Sequence, residues 1–456
     1  MQHSLICKHS TAFPVHFLKC RGSIKYLIGI LLPALIFCVM PDSGYSQNDT
    51  TKELPNGTDG LLFTPRVADS TFVTKKSDLA PNEFEGTYST FRIGLGFIGD
   101  YTAYSYDKTF RRQMDSANLN LVPTYKTRDF RILASGRFLK SKRYLAWKFA
   151  YMYDGDKNVW MVRESGLTIG VPELKGNIFI GRTKEGFSMI KVMNGHSGLT
   201  NERQMALDPV PILADGIKYF GYFPKSKLFL NLAAYSDLTS KGQSFSTFEW
   251  QFVGRGGWVP IDNSKNGTLL HIAVEARYGK PLNGQFTIKS RPESNPTPQL
   301  INTGQFSADG SSSLGAEAYY RNKRFMIGSE VMEHNFYSKS SDDHHFFGGD
   351  VVVSYFLTNT KRPYNTTGNV LGFVPVSRSV FNGGWGAIEA VLHVSTFNLN
   401  NGSIQGGQFT RITPMINWYL SKILRWELVY GYGIMNRFGL TGHVNFFETR
   451  IQITMM

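Results

Sequence analysis

The chain has 456 residues, 49 Lys and Arg against 35 Asp and Glu, and a formal charge of +14. Only 18% of residues are charged and 14% are aromatic, which excludes a disordered chain. A mean hydropathy of −0.21 excludes a bundle of membrane-spanning helices.

In chain order, the first segment reads as a leader. Lys19, Arg21 and Lys25 precede the apolar run Tyr26 to Met40, which Pro41 breaks. Gly44 and Ser46 are small residues two apart. This pattern predicts a signal peptide over 1–46, cleaved after Ser46, with a retained anchor as the alternative. All three cysteines, Cys7, Cys20 and Cys38, lie inside it. The mature chain then holds no thiol, so neither a disulfide nor a thiolate metal site is expected. Its charge falls to +11, because Lys8, Lys19, Arg21, Lys25 and Asp42 leave with the leader. Residues 47–86 are polar with scattered Pro and Gly, and predict a flexible lead-in.

From 87 to 456 short alternating segments recur between Gly, Asn, Asp, Ser and Pro clusters. Phe91, Ile93, Leu95 and Phe97 share one face against Arg92, Gly94 and Gly96. Phe130, Ile132 and Ala134 oppose Arg131, Ser135 and Arg137. Phe248, Trp250 and Phe252 oppose Glu249 and Gln251, and Ile272, Val274 and Ala276 oppose Glu275 and Arg277. Ile388, Ala390, Leu392 and Val394 oppose Glu389 and His393. Leu424, Trp426, Leu428 and Tyr430 oppose Arg425 and Glu427. Each segment runs about ten residues, the length of a tilted membrane-crossing strand. Apolar faces end in Tyr, Trp and Phe, as interfacial girdles do. The pattern predicts an all-β fold, a transmembrane antiparallel β-barrel. At roughly 25 residues per strand and connection, it has about 14 to 18 strands.

Several motifs then carry a resemblance. They are Phe179-Ile-Gly-Arg-Thr-Lys-Glu-Gly-Phe187, Asn201-Glu-Arg203, Ser290-Arg-Pro-Glu293, Tyr355-Phe-Leu-Thr358 with Lys361-Arg-Pro-Tyr364, Gly384-Trp-Gly-Ala-Ile-Glu389 and Asn417-Trp-Tyr-Leu420. In this order they resemble the phosphate-selective porin O and P family of Gram-negative outer membranes, over about 88–456. The resemblance implies a homotrimer of 16-stranded barrels in outer-membrane lipid, each a passive channel for inorganic phosphate or other small anions. The family's early strand carries an arginine doublet and a third arginine. Here Arg128 and Arg131 stand with Asp129 between them.

A channel selects ions by the charge on its wall. The inward faces of such a barrel would hold Arg92, Arg131, Arg137, Lys148, Arg182, Arg255, Arg277, Arg321, Arg411, Arg425 and Arg450. Glu164, Glu249, Glu275, Glu317, Glu389, Glu427 and Glu448 occupy similar faces, so many of these charges are expected to pair across strands. The expected pore-lining set is Arg128, Arg131, Arg137, Arg182, Lys184, Arg255 and Arg277. Arg182 and Lys184, beside Gly181 and Gly186, are the candidates for a constriction. Guanidinium suits this work because its fork makes two parallel bonds to an oxyanion.

Other patterns carry less. Gly94-Leu-Gly96-Phe-Ile-Gly99 fits a dinucleotide signature but sits in an alternating strand with no helix after it. Asp342-Asp-His-His345 lacks further spaced ligands. No cofactor, metal or catalytic residue is expected, and the dispersed bases do not form a nucleic-acid face. The alternatives are a phospholipase-like barrel enzyme, with His393 and Ser395 as its near pair, and a secreted glycan-binding β-sandwich.

Overall fold

The computed structural model describes residues 82–455 except 156 and 264. The expected leader over 1–46 and most of the 47–86 lead-in lie outside these residues. The end of the lead-in is a three-residue strand, Glu83–Glu85, paired with Thr90–Arg92.

Sixteen long antiparallel strands form the sheet. They are β1 (Thr90–Tyr106), β2 (Thr124–Arg137), β3 (Leu145–Asp154), β4 (Val159–Val171), β5 (Gly176–Thr183), β6 (Ala214–Phe223), β7 (Leu228–Ser236) and β8 (Phe248–Asn263). Then come β9 (Thr268–Pro281), β10 (Gly310–Asn322), β11 (Phe325–Tyr337), β12 (His344–Phe356), β13 (Ala387–Asn401), β14 (Ile404–Tyr419), β15 (Leu424–Arg437) and β16 (Leu440–Met455). Each pairs with its chain neighbour, and β16 pairs with β1 from Leu95↔Met455 to Tyr106↔Val444. That last pairing closes the barrel and leaves no long free edge.

The burial pattern is the reverse of a soluble protein's. Ile217, Val274 and Leu314 are more than half exposed on the outside, whereas Arg255, Glu389 and Arg411 are fully buried inside. A β-sandwich would bury the first set, so the sandwich alternative fails on this point. Outward apolar side chains suit lipid, and closure satisfies the backbone there.

The chain enters at the end of the barrel where β1 begins and β16 stops. Turns at this near end are short, apart from 357–386. At the far end, 107–123, 184–213 and 282–309 are long. The first carries helix α1 (Lys108–Ser116), whose Asp107 cap accepts from the Phe110 amide at 2.6 Å. The β15–β16 turn is two residues, Phe438 and Gly439, both at positive φ. That geometry matches the strand twist.

The interior is not an empty cylinder. Phe187, Met205 and Leu207 from 184–213 join Phe286, Ile288, Leu300, Ile301 and Phe306 from the 282–309 connection. They pack on the inward rings of Phe336, Phe346, Phe397, Phe409 and Phe446. A second cluster joins Met189, Met193 and Leu199 to Val370 and Leu371 of the near-end segment and to the wall. Burying each such side chain contributes about 1.5–3 kcal/mol. The inner side of β10 to β16 is thereby filled.

At β8 a predicted face changes. Phe248 is buried rather than outward, because β8 carries an extra residue at Glu249 where Lys280 pairs Trp250 and Pro281 pairs Phe248. Phe248 turns in against Phe286, 5.2 Å between ring centres. Glu249 pairs with Lys280 at 2.7 Å.

Candidate functional site

The 184–213 segment crosses the interior and is tied to the wall at several places, among them the following three. At the first, Ser188 Oγ donates to Glu330 of β11 at 2.5 Å. The amides of Met189 and Ile190 donate to Glu317 and Glu330 at 2.6 and 3.0 Å. These two amides open the short helix α2 (Met189–Val192). Its unpaired donors thus find carboxylates.

The second tie lies at the seam where the barrel closes. Asp100 of β1 and Arg450 of β16 face each other in register and form a fork at 2.5 and 2.8 Å. Glu202 accepts from Arg450 at 2.5 Å and from Arg128 Nη2 at 2.8 Å. Burial would raise the Glu202 carboxyl, but Arg128 and Arg450 outweigh it and hold its pKa down at about 2. Arg128 reaches the lumen because it is the extra residue of β2 opposite the Ile98–Gly99 step. The bulge lets Arg128 and Asp129 both face inward. Asp129 then binds Arg131 at 2.5 Å. His196 sits between Thr454 at 2.5 Å and Asp129 at 3.3 Å. Burial, aided by Arg131, pushes the His196 pKa down to about 3, so the ring is neutral.

The third tie comes from the near end. Arg362 forks onto Glu389 of β13 at 3.0 and 2.7 Å and donates to the carbonyls of Ser197 and Gly198 at 2.8 and 3.3 Å.

What stays open is a cleft between this segment and the inner face of β2 to β7. It encloses about 90 Å³. Arg131, Lys148, Arg163, Lys184 and Lys218 line it, against the single carboxylate of Glu164. Arg163 faces inward through a second bulge, opposite the Ala150–Tyr151 step of β3. Glu164 pairs with Arg163 and, at 2.7 Å, with Lys148. Lys184 donates to the carbonyls of Val192 and Met193 at 3.4 and 2.5 Å. Lys218 donates to the carbonyl of Lys184 at 3.3 Å. Neither lysine meets a carboxylate at ion-pair distance among the described residues. Burial, and then the charge of Arg163, hold the Lys184 ammonium well below the usual lysine range. An arriving anion would favour the charged form again.

A closed barrel with an inward segment and a cationic cleft has the build of a channel. Residues 92–450 match the family model of phosphate-selective porin O and P. The chain belongs to that family. Among curated proteins, none matches it. Solved porins share the fold at low identity. The anion-selective porin from Comamonas acidovorans has a TM-score of 0.52 at 12% identity, over 80% of this chain and 99% of that one. OmpF of Salmonella typhi, in complex with daunomycin, has 0.52 at 12%, over 81% and 100%. The outer membrane channel DcaP of Acinetobacter baumannii has 0.51 at 8%, over 81% and 99%. This chain is therefore an outer-membrane β-barrel of the porin class.

In this porin the expected pore-lining residues fall into distinct places. Arg131 and Lys184 line the cleft. Arg128 belongs to the seam network. Arg137 lies near the entry end, 3.1 Å from Glu83. Arg255 is buried against Glu317 at 2.5 Å, and Arg277 against Glu185 at 2.8 Å. Arg182 does not face the lumen with its neighbours Phe179 and Thr183. It shares the outward set of Ile178 and Ile180, opposite Asp215, which binds it at 2.7 and 3.1 Å. Arg411 and Arg425 pair with Glu448 and Glu427 at 2.6 and 3.2 Å. His393 lies inside the barrel between Asp350 and Glu293, 2.9 and 3.2 Å away, not at the lipid rim that a phospholipase needs. The Gly94–Gly99 run lies within β1.

Two cleft residues were missed at the sequence level. Lys218 alternates with Ile217 and Tyr219, a signal that was there to use. Arg163 was hidden by its bulge. The usable sign is Arg163-Glu164, two adjacent charges in an alternating strand, as in Arg128-Asp129.

Proposed function

We propose that this porin is a passive channel for small anions, inorganic phosphate among them, and that it works as a homotrimer after removal of residues 1–46. The observation that carries the reading is the cleft, where five cationic side chains meet one carboxylate. Weak, repeated sites of one sign favour entry of the opposite charge without trapping it. Many of the other inward bases are held in ion pairs, whereas Lys184 and Lys218 meet no carboxylate at ion-pair distance among the described residues. The family resemblance supports the trimer and the phosphate. The basic, apolar and small-residue order of 19–46 supports the cleaved leader.

The reversal potential of the purified porin in a planar bilayer, under asymmetric KCl, tests the reading. An anion-selective sign is expected, and a cation-selective sign refutes it. The pair Lys184→Gln and Lys218→Gln is expected to move the reversal potential toward zero. An unchanged value would remove these lysines from the passage. Chloride current that phosphate leaves unaltered would mean a general anion pore. Crosslinking in detergent reads the trimer, and the N-terminus of the protein recovered from the membrane reads the cleavage.

A further inference from the structure

The two ends of the barrel differ in charge. Seven connections join strands at the near end: 138–144, 172–175, 224–227, 264–267, 323–324, 357–386 and 420–423. Each carries at least one exposed Lys or Arg. Lys225, Lys265, Lys323, Arg324, Arg378 and Lys422 are among them. The one acid in all seven is Glu173, which binds Arg143 at 2.9 Å. Glu85 and Asp262 stand exposed at strand ends beside them. The far-end connections mix the signs. Lys339 stands with Asp342 and Asp343 in 338–343, and 402–403 and 438–439 carry no charge.

The near-end cations rise from the edge of the outward apolar band. Lys140 Nζ lies 4.7 Å from the centre of the Tyr88 ring, and Arg324 Cζ lies 5.1 Å from that of Tyr355. Both rings are exposed, as are Leu174, Leu228, Trp385 and Ile423 on or beside these turns. Such residues mark where the wall leaves the hydrocarbon. A long basic side chain rooted there lays its stem on apolar surface and lifts its charge to the headgroups. Short turns lie on the periplasmic side of an outer-membrane barrel, so these are the headgroups of the periplasmic leaflet. A zwitterionic headgroup brings its own cation to the rim, whereas an anionic one brings only the opposite charge. We propose that the near rim is a docking ring for anionic phospholipids of the periplasmic leaflet. The cations recur at every turn around the circumference, as a surrounding shell of lipid requires. An acidic protein would need them gathered in one patch.

The test reconstitutes the purified full-length porin in phosphatidylcholine vesicles with trace spin-labelled phosphatidylglycerol or phosphatidylcholine. Electron paramagnetic resonance reads the fraction of each label held at the protein surface. In about 0.1 M salt the phosphatidylglycerol label is expected to be favoured about threefold, and near 1 M the preference is expected to fall toward parity. Lys225→Gln, Lys265→Gln, Arg324→Gln and Lys422→Gln together are expected to bring the low-salt ratio toward one. Lys225→Arg, Lys265→Arg, Arg324→Lys and Lys422→Arg, which keep the charge, are expected to retain it. At the far end, Lys108→Gln with Arg111→Gln and Arg112→Gln is expected to leave it unchanged. Equal retention of the two labels at low salt overturns the proposal and leaves the ring to an acidic protein. A preference that persists undiminished at high salt, or that survives the four neutral near-end changes, or that falls equally with the far-end ones, overturns the assignment to the near-rim charges.

Discussion

Single residues decide where the interior is tied down. Glu202 lies in the Asn201-Glu-Arg203 motif that the sequence singled out, but its task was not legible there. Its partners come from β2 and β16, far apart in the chain, and meet only when the barrel closes. The carboxyl falls from an ordinary 4.5 to about 2 in the folded protein. The unfolded state thus binds more protons across that interval, so stability rises with pH there. The contribution is complete above pH 4.5 and is lost as the pH falls through 2. Amide exchange over residues 198–206, corrected for the intrinsic rate at each pH, is expected to show protection at pH 6 that declines through this window. Glu202→Gln is expected to lower protection at pH 6 by about 1–3 kcal/mol, since Arg128 keeps Asp129 and Arg450 keeps Asp100. Equal protection in the two proteins would mean that Glu202 does not hold the segment.

At the scale of elements, the strands were legible because alternation is a local property. Exposed Leu428 and Phe447 beside buried Glu427 and Arg450 follow from period two alone. What alternation could not show was the count of residues at each bulge, which is settled by the partner strand. One extra residue in each of β8, β2 and β4 turned Phe248 inward and brought Arg128 and Arg163 to the lumen. The filled interior was hidden for another reason. Inward Phe346 and Phe446 stand next to Phe347 and Phe447 in sequence, so both faces are apolar there. Doubled aromatics of this kind signal a wall that something covers. Helix α1 is a smaller case. Gln113 is fully buried, and its Nε2 donates to the carbonyl of Leu440 at 2.7 Å and reaches that of Met435 at 3.3 Å. Gln113→Ala is expected to cost about 1–3 kcal/mol locally. Faster amide exchange confined to 108–116 and 435–442, with an unchanged barrel melting point, is the expected signature.

For the whole molecule, the +14 of the sequence is a poor guide to the field an ion meets. The barrel separates its charges. Carboxylates of β10 to β13 are occupied by donors of the inward segment, by Arg255 and by Arg362, while on the β2 to β7 side five cations line the cleft against the one carboxylate of Glu164. A second basic group, Lys108, Arg111 and Arg112, is exposed on α1 at the far end. The two groups differ in how salt should act on them. The Debye length shrinks from about 10 Å at 0.1 M to about 3 Å at 1 M, which screens exposed charge but reaches buried charge much less. If the cleft sets selectivity, a fixed tenfold KCl gradient centred near 1 M is expected to keep an anion-selective reversal potential, reduced from its value near 0.1 M. If the α1 residues set it from the mouth, the potential should collapse to zero at the higher salt. It should then respond to Arg111→Gln with Arg112→Gln rather than to Lys184→Gln with Lys218→Gln. Comparing both double variants at both salt levels assigns the selectivity to one group, because only charge held inside the passage resists screening.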